Sequence, residues 1–261
     1  MSTPWNPPDG EAPPDAVLPA ALKGTSPTDV ARHVFDDFMA HLAGYFLAGT
    51  SYVLVVLGGI FVAVVVMLLG VVPGVVTEDE TVAFVGSSIG FVLYMAIVFF
   101  LGFVAFPAMI ASLLRGLDKQ QRGLGTLGFS SPFNDLSGSG RAIAFYLLSQ
   151  VLVLVGVVFC YLPGLVVATL SSFALPIVVL EGASPTEALG LGWRHMRSDP
   201  GWHLAVWLLM VVALLALELT LIGALALVPA MAAWQLFAYR AAFGPDGARA
   251  WAAARDATGT S

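Results

Sequence analysis

A chain of 261 residues is long enough to bury a soluble core, but 58% of it is hydrophobic and only 11% charged. An ordinary soluble domain is roughly 25% charged, so this chain lacks the charges to cover a water-exposed surface. A net charge of −6 with no basic cluster argues against a nucleic-acid partner, and a single cysteine, Cys160, excludes an intrachain disulfide.

Residues 1–25 combine Pro4, Pro7, Pro8, Pro13, Pro14 and Pro19 with Asp9, Glu11 and Asp15. This Pro-rich acidic composition cannot build a core and predicts a disordered tail. It lacks the basic start and apolar run of a secretory signal, so the first span is expected to direct insertion. Beyond it, Leu42 to Thr77, Thr81 to Leu114 and Ala142 to Leu180 contain no Asp, Glu, Lys or Arg. A bilayer core about 30 Å thick needs about 20 apolar helical residues, so the third stretch must fold back, at Leu162-Pro163-Gly164. Gly201 to Tyr239 divides likewise near Glu218.

The expected fold is all-α: a six-helix transmembrane bundle with spans at about 44–70, 82–113, 142–162, 164–180, 201–217 and 222–240 within a domain covering 26–243. Residues 244–261 are expected to be a short flexible tail. Sorted by connection, Lys23 and Arg32 precede the first span. Arg115, Lys119, Arg122 and Arg141 follow the second, Arg194 and Arg197 the fourth, and Arg240, Arg249 and Arg255 the sixth. The remaining connections hold no basic residue, only Glu78, Asp79, Glu80 and Glu218. Positive charge is retained in the cytoplasm, which predicts a multi-pass protein of the inner (plasma) membrane with both termini cytoplasmic.

A short pattern recurs as Ser26-Pro27-Thr28-Asp29, Ser131-Pro132-Phe133-Asn134 and Ser184-Pro185-Thr186-Glu187. Serine caps the first free amides, proline suits the first helical position, and an acid favours the positive helix end. Each copy precedes a pair of spans whose second member holds a proline: Pro107, Pro176 and Pro229. The simplest architecture is three helix hairpins, each introduced by a short cytoplasmic surface helix, with a kink expected at each proline. In the first such helix Val30, Val34, Phe38 and Leu42 share one face; in the third, Leu189, Trp193 and Met196 do. These stripes suit either the headgroup boundary or the bundle's own cytoplasmic ends. The middle copy is the weakest, because Ser137-Gly138-Ser139-Gly140 interrupts any helix there.

The run Leu162-Pro163-Gly164, Phe173-Ala174-Leu175-Pro176-Ile177-Val178-Val179-Leu180-Glu181-Gly182, Ser184-Pro185-Thr186-Glu187-Ala188 and Trp193 resembles a loose group of bacterial multi-pass membrane families of unknown function. It is similar to the membrane domain that precedes some glycerophosphodiester phosphodiesterases. The resemblance covers about residues 140–243 and implies a six-helix membrane domain. No activity is expected to transfer, because the catalytic domain of those enzymes is not expected within these 261 residues.

Ionisable residues near membrane depth are functional candidates by default. Glu218 falls at an outer turn, where an interfacial carboxylate is the simpler reading. Glu181 ends the fourth span, where Arg194 or Arg197 would make it either a structural ion pair or an anion or lipid-headgroup site. Ser149, Gln150, Thr169, Ser171, Ser172 and Gln235 are explained by hydrogen bonds between helices. His33, His41, His195 and His203 have no Cys or carboxylate at ligand spacing, so no metal and no cofactor is expected. Gly86-x-x-x-Gly90 permits close helix contact within the chain or between copies. With no phosphate loop, zinc-protease or nucleophile-elbow motif, the expected role is non-catalytic. The reading is a scaffold or accessory subunit binding lipid or a partner membrane protein, or forming a homo-oligomer; a small transporter or permease component is the alternative.

Overall fold

The computed structural model describes residues 24–258, excepting the side chains at positions 74, 160, 221, 222 and 224. The tail expected over 1–25 therefore lies, but for its last two residues, outside the described residues. Ten α-helices follow in order: α1 (Pro27–Ala40), α2 (Leu42–Thr77), α3 (Glu80–Phe100), α4 (Phe106–Gln121), α5 (Ser139–Cys160), α6 (Leu162–Glu181), α7 (Pro185–Ser198), α8 (Pro200–Glu218), α9 (Leu221–Phe243) and α10 (Gly247–Thr258). A π-helical turn, Leu101–Ala105, joins α3 to α4 into one continuous rod. No strand occurs among the described residues.

Five of these elements are long and apolar enough to cross a membrane: Leu42–Thr77, Glu80–Gln121, Ser139–Phe159, Leu162–Glu181 and Pro200–Glu218. Only 6% of the most apolar window of the first two is buried, against 56% for α6. Their outer surfaces present Leu54, Leu57, Phe61, Val75, Val76, Phe84 and Val92 without cover. An apolar face of that extent is rare on a soluble monomer and supports a multi-pass membrane protein. The described residues of α9 do not place it among the five.

Consecutive helices pack as neighbours in the pairs α2–α3, α5–α6 and α8–α9. Small residues bring the first pair together. A Cβ on Gly86 would lie 2.1 Å from the Gly70 carbonyl oxygen, and one on Gly90 would lie 2.9 Å from the Met67 carbonyl oxygen. The Gly86-x-x-x-Gly90 motif thus serves contact within the chain, where missing side chains let two backbones meet. The second pair closes the same way, Gly156 against Gly164.

The prolines behave unequally. At Pro107 the rod widens into the π turn, and the Phe106 amide donates to the Leu101 carbonyl five residues back. Proline lacks a donor and crowds the carbonyl four residues earlier, and one extra residue in the turn absorbs both defects. Helices α6 and α9 run on as α-helix through Pro176 and Pro229.

The buried core lies toward one end of the bundle. It joins Val30, Val34, Tyr45, Leu113, Leu114, Leu117, Phe145, Phe173, Ile177, Leu236, Phe237 and Phe243. Helix α9 runs through it, packing on α1, α2, α4, α6, α8 and α10. Alanines at 226, 230, 232, 233, 238, 241 and 242 give it a slim, buried surface. The second half of the rod, from Met109 to Gln120, is likewise mostly buried.

Helices α1 and α7 are each 14 residues and open on a full capping box: Ser26 with Asp29, and Ser184 with Glu187. Their caps share nearly the same backbone angles, φ −67° and ψ 156° against φ −70° and ψ 154°. Two of the three repeat copies therefore begin helices. The copy at Ser131 forms turns instead, because Ser131 spends its hydroxyl on the Gly128 amide and its carbonyl on Ser112 Oγ. The expected surface helix is absent from the middle unit.

The C-terminal segment is a second correction. Residues 247–258 form helix α10, with Ala248 and Ala252 buried, rather than the flexible tail expected over 244–261. Its few apolar residues sit at helical spacing, too short a pattern to outweigh the surrounding polar composition.

Candidate functional site

The basic residues, from Arg32 to Arg255, gather with α1, α4, α7, α10 and the 122–138 loop at the core end. Glu78, Asp79, Glu80 and Glu218 mark the opposite helix turns. This polar end is the candidate site.

Its centre is a buried ion pair. Arg240, in the last turn of α9 and 8% exposed, donates to Asp118 Oδ1 of α4 and to the Pro245 carbonyl at 3.0 Å. Arg122 also meets Asp118, at 2.9 Å. Alongside it, Arg115 donates to the Asp135 carbonyl at 2.8 Å and Lys119 lies 3.9 Å from the Asp135 carboxylate. The Ser137 hydroxyl, and then Arg115 and Lys119, hold the Asp135 carboxyl below its ordinary range despite some burial. The loop is closed by Gln120, whose Oε1 accepts from the Leu127 amide at 2.9 Å.

Glu181 organises the other half. Its Oε1 accepts from the Tyr239 hydroxyl at 2.6 Å and from the Ala248 amide at 2.7 Å, and its Oε2 from the Arg249 amide at 3.2 Å. The carboxylate therefore caps α10. Gly247 permits this approach, with φ +89° and no Cβ where Glu181 Oε1 would be 2.8 Å away. Arg249 then reaches back to Glu187 with two bonds, 2.7 and 2.9 Å, and to the Glu181 carbonyl at 3.1 Å. That bidentate contact, followed by the Ser184 amide, holds the Glu187 carboxyl below its ordinary range.

The four residues singled out from the sequence are dispersed. Glu181 meets neither Arg194 nor Arg197. Arg194 pairs with Asp256 of α10 at 2.5 Å. The Arg197 guanidinium lies 5.5 Å from the Trp193 ring centre. Glu218 is exposed at the far end of α8. Sequence spacing could not reveal Tyr239, Arg249 and the α10 amides as the partners of Glu181, because they stand 58 to 68 residues away.

Polar groups within the spans are satisfied locally rather than across helices. Ser149, Thr169, Ser171 and Ser172 each donate to the carbonyl four residues back in their own helix. Gln235 Oε1 and Trp234 Nε1 are buried without a hydrogen-bond partner; both line a small crevice against Ser172, Val206 and Met210. A wider groove of about 480 Å³ runs between α1, α8 and α9, almost wholly apolar and bordered by Phe35, Val212 and Leu217.

Two histidines meet inside the polar end. His195 Nδ1 of α7 lies 3.2 Å from His203 Nε2 of α8. His195 Nε2 is 2.9 Å from the Ala242 carbonyl and His203 Nδ1 is 2.9 Å from the Asp199 carbonyl. Among the described residues no three His, Cys, Asp or Glu side chains converge as metal ligands would. Compared with known proteins, the chain matches no family model, no curated protein and no solved structure.

Proposed function

We propose that this chain is a six-span inner-membrane protein with both termini cytoplasmic. It would act as a non-catalytic scaffold or accessory subunit that presents its basic end to lipid or a partner protein. One observation carries the reading: the charged side chains lie at helix ends, largely paired with one another, and the spans between carry no charge. A solute path needs ionisable or clustered polar groups at depth. Here the in-span hydroxyls are spent on their own backbone.

The sixth span in this reading is α9. At 23 residues it is long enough, it is as apolar on average as α5, and it is surrounded by other helices. The surface helices supply the binding faces. After α1 packs Val30 and Val34 inward, Phe35 and Met39 remain 61% and 53% exposed. On α7, Trp193 stays exposed beneath Arg197, an aromatic–cation pairing suited to a headgroup layer.

The unpaired Gln235 and Trp234 are the observation that favours transport instead. Reconstitution into proteoliposomes separates the two readings: saturable, protein-dependent solute flux would overturn the scaffold role. In a C160S background, cysteine at Asp79 should label with an impermeant reagent from outside intact cells, while cysteine at Lys119 should not. Labelling of both from outside would overturn the topology.

A further inference from the structure

We propose that His195 and His203 form a binding site for one proton, shared between His195 Nδ1 and His203 Nε2, which latches α7 and α9 to α8. The argument begins with the outer nitrogens. Each faces a backbone carbonyl at 2.9 Å, Ala242 for His195 and Asp199 for His203. A carbonyl only accepts, so both outer nitrogens must carry hydrogen. A neutral imidazole has one N–H. Two neutral rings would therefore point lone pairs at each other across 3.2 Å. A third proton turns that repulsion into an N–H···N bond of ordinary length. Turning either ring over would set a carbon against its carbonyl and leave a buried acceptor unpaired.

The surroundings suit a cation. The Ala242 carbonyl is among the unsatisfied groups at the C-terminus of α9, and His195 itself sits in the last turn of α7. Both helix ends carry partial negative charge. Aromatic rings enclose the pair: Phe243 and Trp251 centre 4.7 and 4.9 Å from His195, Phe173 and Trp202 centre 4.6 and 5.1 Å from His203.

Of the charged groups facing the pair, Asp199 at the α7–α8 junction favours the proton and Arg255 of α10 opposes it. Among the described residues, α6 contributes Phe173 and α9 contributes Phe243 and the Ala242 carbonyl. Burial opposes the charge: that desolvation, then His203 and Arg255, would push His195 down to about 4. Burial penalises only the charged pair; the opposing effect is the lone-pair repulsion that two neutral rings would suffer across 3.2 Å once the two carbonyls fix their outer hydrogens. A metal ion is a poorer occupant, since two imidazoles fall short of the four ligands a structural zinc takes.

The two opposing effects predict opposite pH dependences. A shared proton raises the folded affinity, so its stabilisation is complete below the unfolded pKa of about 6.5 and is lost as pH rises through the folded value. Burial alone depresses the folded value, and stability would then be lost as pH falls. The test compares the unfolding midpoint of the detergent-solubilised protein with that of H203Q from pH 5.5 to 8.5, above the carboxylate range. The H203Q amide offers His195 Nδ1 a donor that does not titrate. The advantage of wild type should grow as pH falls from 8.5 toward about 6.5, by up to about tenfold in folding constant per pH unit, and level off below that. A constant difference, or one growing toward pH 8.5, overturns the proposal, and so does a midpoint shift on chelator treatment. Should H203Q not fold, ¹⁵N spectra of the wild-type histidine rings decide. Three protonated nitrogens in the pair at pH 6 are expected, and two overturn it.

Discussion

Glu181→Ala tests the docking of α10, because the carboxylate holds three separate donors. Losing the two amide bonds at Ala248 and Arg249 is equivalent to losing a helix cap, about 0.5–2 kcal/mol. The Tyr239 hydroxyl, almost wholly buried, would lose its acceptor at 2.6 Å at a further ~1–3 kcal/mol. Together the docked state should weaken by roughly 2–4 kcal/mol, or about 30- to 1,000-fold. Arg249→Ala removes a pair that is 49% and 39% exposed, and such surface pairs contribute about 0–1 kcal/mol. The assay is thiol labelling of A252C, on the buried face of α10 in the wild type, in a C160S background. The labelling rate should rise strongly with E181A and only slightly with R249A. Equal rates for the two variants, or an unchanged rate with E181A, would refute the claim that this carboxylate is what holds the C-terminal helix.

Removing one partner of a buried ion pair costs more than the pair contributes. Asp118→Ala should therefore lower stability by about 3–5 kcal/mol by stranding Arg240, and adding Arg240→Met should recover most of it, as thermal unfolding in detergent would record. In the first hairpin, Gly86→Ala should destabilise by about 1–3 kcal/mol, because its Cβ must displace the Gly70 carbonyl. Gly58→Ala, with open space around it, should instead stabilise by up to about 1 kcal/mol from helix propensity; equal midpoints would show that the glycine contact is not tight. Acid should loosen the α7–α10 contact. Glu187 is held below the ordinary glutamate range, first by Arg249, so its contribution is present above that range and is lost as pH falls through the lower folded value. Protease cleavage of α10 should accordingly rise below about pH 4, and a rise between pH 6 and 8 would contradict this.

The all-helical class and the apolar helices long enough to cross a membrane were legible in the sequence because both are written in local composition. Uncharged runs, their lengths and the serine-proline caps are properties of neighbouring residues, and the caps at Ser26 and Ser184 form with the expected bonds. The partners within the polar end were not legible, because each is chosen by three-dimensional packing. Glu181 had Arg194 and Arg197 nearby in sequence, yet α7 turns Arg194 toward Asp256 and lays Arg197 over Trp193. The histidines were judged by the absence of nearby carboxylates and thiols. What defines their pairing is two backbone carbonyls, which sequence spacing does not show.

Helix α9 carries the most general lesson. A hydropathy argument treats every apolar helix alike, as a cylinder facing lipid, and does not explain why α9 carries Gln235, Tyr239 and Arg240 near its end. Those residues are tolerable because α9 does not face lipid along most of its length. Its alanines let α1, α2, α4, α6 and α8 close around it, and a Cβ on Gly49 would lie only 1.4 Å from the Leu225 carbonyl oxygen. Close approach of this kind is what helix association in a bilayer depends on, since apolar side chains gain little by leaving lipid for protein. The same enclosure lets Arg240 bond Asp118 and Tyr239 bond Glu181 out of contact with lipid. A run of small residues therefore marks a helix as central, and Gly49→Leu, which would force α9 away from α2, should disturb both of those polar contacts at once.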